Sequence, residues 1–185
     1  MSHAAFRIAA VVFLLAAAAT PTPGDPGAGE ATPLRKLVQP GEKAPAFTLE
    51  DIDGRAVSVK PGDGKACLIV FFSAFCPLCR ELAPSVREIA SRSDRTIRVI
   101  GVNLDGSRFA GAVRSFVSEY GFGFPVLLDA IRNDMFLASD PYGVDKAPTA
   151  VLIDGRGSVR GSYAADKMWD LVRDFDRIAA GLKPD

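Results

Sequence analysis

The chain has 185 residues, 48% of them hydrophobic and 24% charged, which is enough apolar material for one globular domain with its own core. Lys plus Arg and Asp plus Glu both number 22, so the formal net charge is zero, and no basic stripe marks a nucleic-acid partner. Three cysteines are too few to staple a mini-fold and point to thiol chemistry instead.

Behind Arg7, Ile8 to Ala19 is an unbroken apolar run. It has the length of a signal-peptide core and is short for a bilayer span of about 20 residues. Ala17 and Ala19 offer small side chains for cleavage before Thr20. No cysteine lies near this segment, so a lipid attached through one is excluded. The expected organisation is a signal peptide (or uncleaved anchor) over 1–19, a disordered Pro/Gly-rich linker over 20–39 and a folded domain over 40–185. Such a protein is exported and extracytoplasmic, in the periplasm. Cleavage would also remove His3, the only histidine. That leaves no Ser-His-Asp or Cys-His scheme and no His-ligated zinc or copper in the mature domain.

The domain opens with alternating Ala46 to Glu50, an Asp53-Gly54 turn and Ala56 to Val59, a hairpin pattern. Ala66 to Phe72 is a continuous apolar run of strand length, as for a strand buried on both faces. After Cys76-Pro77-Leu78-Cys79, Leu82, Val86, Ile89 and Ala90 fall on one helical face, with Pro84 inside the helix. Thr96 to Asn103 reads as a second buried strand, with Asp105-Gly106-Ser107 as turn and cap. Phe109, Val113, Phe116 and Val117 form the stripe of a second helix ending near Gly121. A short strand over Pro125 to Leu128, a short helix over Ile131 to Ala138 and a buried strand over Thr149 to Ile153 follow. Asp154-Gly155 turns the chain into Ser158 to Ser162, and Met168, Leu171, Val172, Phe175, Ile178 and Ala179 make a last amphipathic helix that takes in Trp169 as a packing residue. Strands alternating with helices imply an α/β sheet, and the closing strand pair implies an antiparallel edge.

A Cys-x-x-Cys where a buried strand meets a helix has a chemical use. Cys76 falls at the helix N-terminus, where unpaired N–H groups and the helix dipole favour a thiolate. Cys79 comes one turn later, placed to close or resolve a disulfide. Pro77 costs nothing in the first turn, since its missing N–H would be unpaired anyway. A zinc site would need four ligands, and only Cys67 could join the pair besides carboxylates, so no metal is expected. Cys67 itself reads as a small buried hydrophobe, and Asp105 and Asp154 as turn residues.

From Pro40 to Leu182 the sequence resembles the TlpA/ResA-like branch of the thioredoxin superfamily. The carriers are Ala44-Pro45-Ala46-Phe47-Thr48-Leu49 with Asp53-Gly54, Phe71-Phe72-Ser73-Ala74-Phe75-Cys76-Pro77-Leu78-Cys79-Arg80, Pro84, Gly101-Val102-Asn103, Phe124-Pro125-Val126-Leu127-Leu128-Asp129 and Ala147-Pro148-Thr149. The resemblance implies a thioredoxin-like α/β fold, a central mixed sheet flanked by helices with an N-terminal hairpin extension. It also implies catalytic Cys76 as nucleophile and Cys79 as resolving residue, a cis Pro148, and a substrate-binding surface of Ala147, Pro148, Phe75 and Pro77. No cofactor is needed beyond the Cys76–Cys79 disulfide. The implied partners are exported protein thiols and disulfides, with a membrane-embedded thiol as electron donor. Three positions depart from the family pattern: Phe75 replaces a Trp, Leu82 stands where many relatives keep a buried Glu, and Val70 where thioredoxin has a buried Asp.

The leading expectation is an extracytoplasmic disulfide reductase or exchanger, with the absence of a histidine between the cysteines favouring a reductant. The alternatives are a peroxiredoxin-like thiol peroxidase with Cys76 peroxidatic and Ser73 three residues before it, or a non-catalytic thioredoxin-like binding module.

Overall fold

The computed structural model describes residues 36–93 and 97–180. His3, the apolar run Ile8 to Ala19, the linker up to residue 35 and Thr96 lie outside the described residues, as do the side chains of Ile178 and Ala179. The expected hairpin is present as β1 (Phe47–Asp51) and β2 (Ala56–Val59), with Phe47 opposite Val59. Its turn closes on the Asp51 carboxylate, which accepts the N–H groups of Asp53 and Arg55 at 2.9 Å each, while Gly54 takes φ 82°.

The continuous apolar run becomes β3 (Ala66–Phe72), buried at every position. It lies between β4 (Ile97–Asn103), which runs parallel to it, and β8 (Thr149–Ile153), which runs antiparallel. With β5 (Val126–Leu128) and β9 (Val159–Ala164) the mixed sheet has the order β2-β1-β5-β4-β3-β8-β9. Successive β3 side chains point to opposite faces. Cys67, Ile69 and Phe71 pack with Phe47, Leu49 and Tyr142 on one face. On the other, Leu68 and Val70 meet α1 (Pro77–Arg92) through Leu82, Val86 and Ile89, and α4 (Met168–Ala180) through Met168, Leu171 and Phe175. Phe72 packs there against α2 (Ala110–Tyr120) through Val113 and Phe116. Helix α1 runs through Pro84 without interruption.

The parallel strands β3, β4 and β5 end together: Phe72 is level with Asn103, and Asn103 with Leu128. Strand β8 starts at the same edge, Thr149 facing Phe71. Four connections therefore gather at one end of the sheet, the position where open α/β sheets bind ligands.

Four expectations need correction. Ile131 to Ala138 is not a helix but a hairpin, β6 (Ile131–Arg132) and β7 (Met135–Phe136), followed by the single turn α3 (Ser139–Tyr142). Asn133 and Asp134 both take positive φ (52° and 60°), the conformation of a two-residue hairpin turn that these residue types tolerate. The domain begins before Pro40, since Val38 is buried and donates to the Tyr142 carbonyl at 3.0 Å. Phe109 lies in a 3₁₀ turn ahead of α2, and Trp169 on the outer face of α4; both are exposed.

Asp129 holds this region together. Its carboxylate is buried and accepts the N–H groups of Ala130, Ala138 and Ser139, all at 3.0 Å. Asp129→Ala strands those buried donors and should cost about 2–4 kcal/mol, read as a lower urea midpoint at unchanged slope.

Candidate active site

Strand β3 delivers the chain to a short turn, Ser73 to Phe75, and Cys76 then sits at the N-cap of α1 with extended backbone (φ −81°, ψ 120°). Pro77 occupies the first helical turn. The Cys76 sulfur accepts the backbone N–H of Cys79 at 3.2 Å, the role a Ser or Asp oxygen usually plays at a helix start. Cys76 is half-buried, and its Sγ donates to the Ala147 carbonyl at 3.6 Å. The Ala147–Pro148 peptide is cis and Pro148 is buried. Its loop is held by Thr149 Oγ1 donating to the Lys146 carbonyl at 2.8 Å and by the Ala165 N–H donating to the Pro148 carbonyl at 2.8 Å.

Cys79 faces inward and is buried among Phe72, Ala83, Val113 and Phe116. Burial, first, pushes its thiol well above the ordinary range. A hydrogen bond with Cys76 and the negative charges of Cys76 and Asp105 add to this, and the Ser73 backbone N–H opposes it. The two cysteines are thus linked through the Cys79 N–H on Cys76 Sγ but differ in surroundings, one at the helix start and the other in apolar packing.

Cys76, Cys79, Ala147 and Pro148 come together as the sequence implies. Pro77 is exposed at the helix start, and Phe75 stands 58% exposed on the rim, edge-on to Phe109 at 5.3 Å between ring centroids. Leu82 is buried and Glu81 exposed, so neither supplies a carboxylate to Cys79.

Asp105 was read as a turn residue and is more than that. Its carboxylate accepts Ser73 Oγ–H at 2.6 Å, the Ala74 N–H at 2.8 Å and Asn103 Nδ2–H at 2.9 Å. Ser73 Oγ in turn accepts the Phe75 N–H at 3.1 Å. The available signal was positional: Asn103 ends the strand beside the one that delivers Cys76, and Asp105 follows two residues later. Cys67 lies at the far end of β3, level with Arg98 of β4, and burial pushes its thiol up to about 11 against the opposing pull of the guanidinium.

A model of the Redoxin family matches residues 39–179. The chain is 27% identical to a thiol-disulfide oxidoreductase ResA of Halalkalibacterium halodurans over 152 residues, 82% of this chain and 81% of the relative. It is 29% identical to ResA of Bacillus subtilis over 151 residues, 81% and 79% of the two chains. Among solved structures, a secreted disulfide oxidoreductase of Mycobacterium tuberculosis, described as homologous to Escherichia coli DsbE, is 26% identical with TM-score 0.57, covering 72% of this chain and 95% of that one. A candidate thiol:disulfide interchange protein DsbE from Chlorobium tepidum is 26% identical with TM-score 0.66, covering 79% and 99%. The fold is thioredoxin-like.

Because the folded state raises the Cys67 value from 9.0 to about 11, it favours the neutral thiol. The stabilisation is whole below the unfolded value and is lost as pH climbs from about 9 through about 11. Cys67→Ala should therefore lose less unfolding free energy across that window than the parent in urea titrations, while Cys79 and Tyr142, also raised by burial, keep some slope in both.

Proposed function

This chain belongs to the Redoxin family and is a thiol–disulfide oxidoreductase, and from that premise we propose that it is an extracytoplasmic disulfide reductase or exchanger working through Cys76 and Cys79. The observation that carries the reading is the Cys76 sulfur, seated on the α1 amides with the Cys79 N–H at 3.2 Å and the Ala147 carbonyl at 3.6 Å. At a helix start the sulfur meets backbone N–H groups that have no intrahelical partner.

In the proposed cycle the Cys76 thiolate attacks a substrate disulfide. A bond forms between Cys76 Sγ and one substrate sulfur, and the other sulfur leaves with the electron pair and takes up a proton. Cys79 then gives up its proton and attacks Cys76 Sγ. The mixed disulfide breaks, the second substrate thiolate leaves, and a Cys76–Cys79 disulfide remains. Two electrons have passed to the substrate, and a thiol donor outside this chain, membrane-embedded in our reading, returns them. No cofactor beyond the cysteine pair takes part. Ala147 and Pro148, with Phe75 and Pro77 at the rim, form the surface on which an extended substrate segment lies.

Export is supported by the apolar run Ile8 to Ala19 and by the description of one similar structure as secreted. The substrates are then thiols and disulfides of exported proteins, and 1–19 is the signal, with the folded domain following a Pro/Gly-rich spacer. A peroxidase role draws no support from Ser73, whose hydroxyl is engaged by Asp105 and the Phe75 N–H.

Three outcomes test the proposal. Cys79→Ser should accumulate a covalent mixed disulfide with a disulfide substrate, visible as added mass that dithiothreitol removes, and Cys76→Ser should form none. Equilibrated against glutathione buffers, the mature domain should poise on the reducing side of the glutathione couple. Secreted protein recovered from an exporting bacterium should begin at Thr20. A Cys76→Ser variant that still reduces disulfides at the parent rate would overturn the assignment.

A further inference from the structure

The second half of the cycle needs Cys79 to ionise in a place built against it. Strands β3 and β5 and helix α2 present Val70, Phe72, Val113, Phe116, Val126 and Leu128 to this region, all apolar. Helix α1 adds Leu82 at the place where a carboxylate would be one turn from Cys79. Arg80 on α1 is paired with Glu119 on α2 at 3.4 Å, on the exposed side. The charges that bear on Cys79 are Cys76 itself and Asp105.

Asp105 reaches the cysteines through one residue. Ser73 donates its hydroxyl to Asp105 at 2.6 Å and accepts the Cys76 N–H on its carbonyl at 3.3 Å, and the Cys76 sulfur in turn accepts the Cys79 N–H at 3.2 Å. The Ala74 N–H adds a second bond to the same carboxylate, and Asn103 a third from the side. Hydrogen bonds to a charged acceptor are the stronger kind, so this turn is fixed by the carboxylate.

We propose that Asp105 is a positioning residue for the resolving step: it anchors the turn that seats both cysteines, and its negative charge opposes the Cys79 thiolate that must form before a mixed disulfide is resolved. The inference rests on the thiol exchange proposed above. Burial first holds Cys79 neutral, so the resolving step quickens as pH rises, and the Asp105 charge slows it further and prolongs the life of the covalent intermediate.

The Asn variant separates charge from scaffold. In Asp105→Asn the amide oxygen can accept from Ala74 and Asn103, and the amide nitrogen can donate to the Ser73 hydroxyl, which accepts in its place. The measurement mixes reduced protein with one equivalent of dithiobis-nitrobenzoate, whose thiolate product is coloured. The first release reports attack by Cys76. The second reports Cys79 losing its proton to solvent, attacking Cys76 Sγ and expelling the remaining aromatic thiolate, which leaves the Cys76–Cys79 disulfide. Cys67, 1% exposed, stays outside both phases.

In Asp105→Asn the second release at about pH 7 should be about threefold faster or more, since a negative charge facing the forming thiolate is removed. Asp105→Glu, which restores the charge, should fall back toward the parent rate. In the parent the second release should climb about tenfold per pH unit between about pH 6 and 9, a reading that needs no variant to fold. A second release in Asp105→Asn equal to or slower than the parent's, or a parent profile that levels off below about pH 8, overturns the role of Asp105 alone. A parent that releases one thiolate per molecule and never a second overturns the exchange reading, and the role of Asp105 with it.

Discussion

The contact on which this site depends is the backbone N–H of Cys79 pointing at the sulfur of Cys76. A helix must begin within one residue of the end of a short turn for that bond to form, and several features conspire to start it there. Strand β3 ends at Phe72, packed on α2, so the chain leaves the sheet at a fixed point. The Ser73–Ala74 turn is clamped to Asp105 on the neighbouring strand's exit, and Pro77 is preset for a first helical turn. The reactive sulfur takes the capping position because every other degree of freedom around it has been removed.

That placement splits two chemically identical side chains. Cys76 is at the surface end of the helix amides, whereas Cys79, one turn inward, is surrounded by aliphatic and aromatic carbon and pushed toward its neutral form. The proposed cycle orders such a pair in time as well as space: the outer sulfur attacks, and the inner one acts after a covalent bond has been made. The buried carboxylate that many relatives keep beside the second cysteine is replaced here by Leu82, so the proton of Cys79 has no acceptor within the apolar packing. The electrostatics of the inner thiol thus fall to groups on the turn side.

Much of this was legible in the sequence because it is local. The all-apolar Ala66 to Phe72 run can only be a strand covered on both faces, and the Leu82, Val86, Ile89 spacing can only be a helix lying on it. Ile131 to Ala138 was misread for the opposite reason: Ile131 and Met135 fit one helical turn as well as a hairpin, and the decision lies with Asn133 and Asp134, whose left-handed backbone the periodicity does not report. Asp105 shows only a positional signal in the sequence, because Ser73 and Ala74 lie more than thirty positions earlier in the chain and the parallel pairing of β3 with β4 brings them level. Sequence spacing shows what shares a helix face; it does not show what shares a strand end.

The same strand-end logic bears on what the enzyme acts upon. Phe75 follows β3, Phe109 follows β4, Ile131 and Met135 follow β5, and Trp169 begins α4 just after Ala165 binds the Pro148 carbonyl. These are the large apolar side chains left exposed among the described residues, and two of them, Phe75 and Phe109, meet edge-on at 5.3 Å between ring centroids beside the turn that leads into Cys76. Scattered exposed hydrophobes need no explanation, but an aromatic pair next to the cysteine motif offers apolar surface beside it. A small thiol such as glutathione would leave most of that surface wet. On the proposed function, a polypeptide carrying the disulfide would cover Phe75 and Phe109 and gain apolar burial beside the sulfur. In that cycle such contact would hold the mixed disulfide together while the buried Cys79 loses its proton.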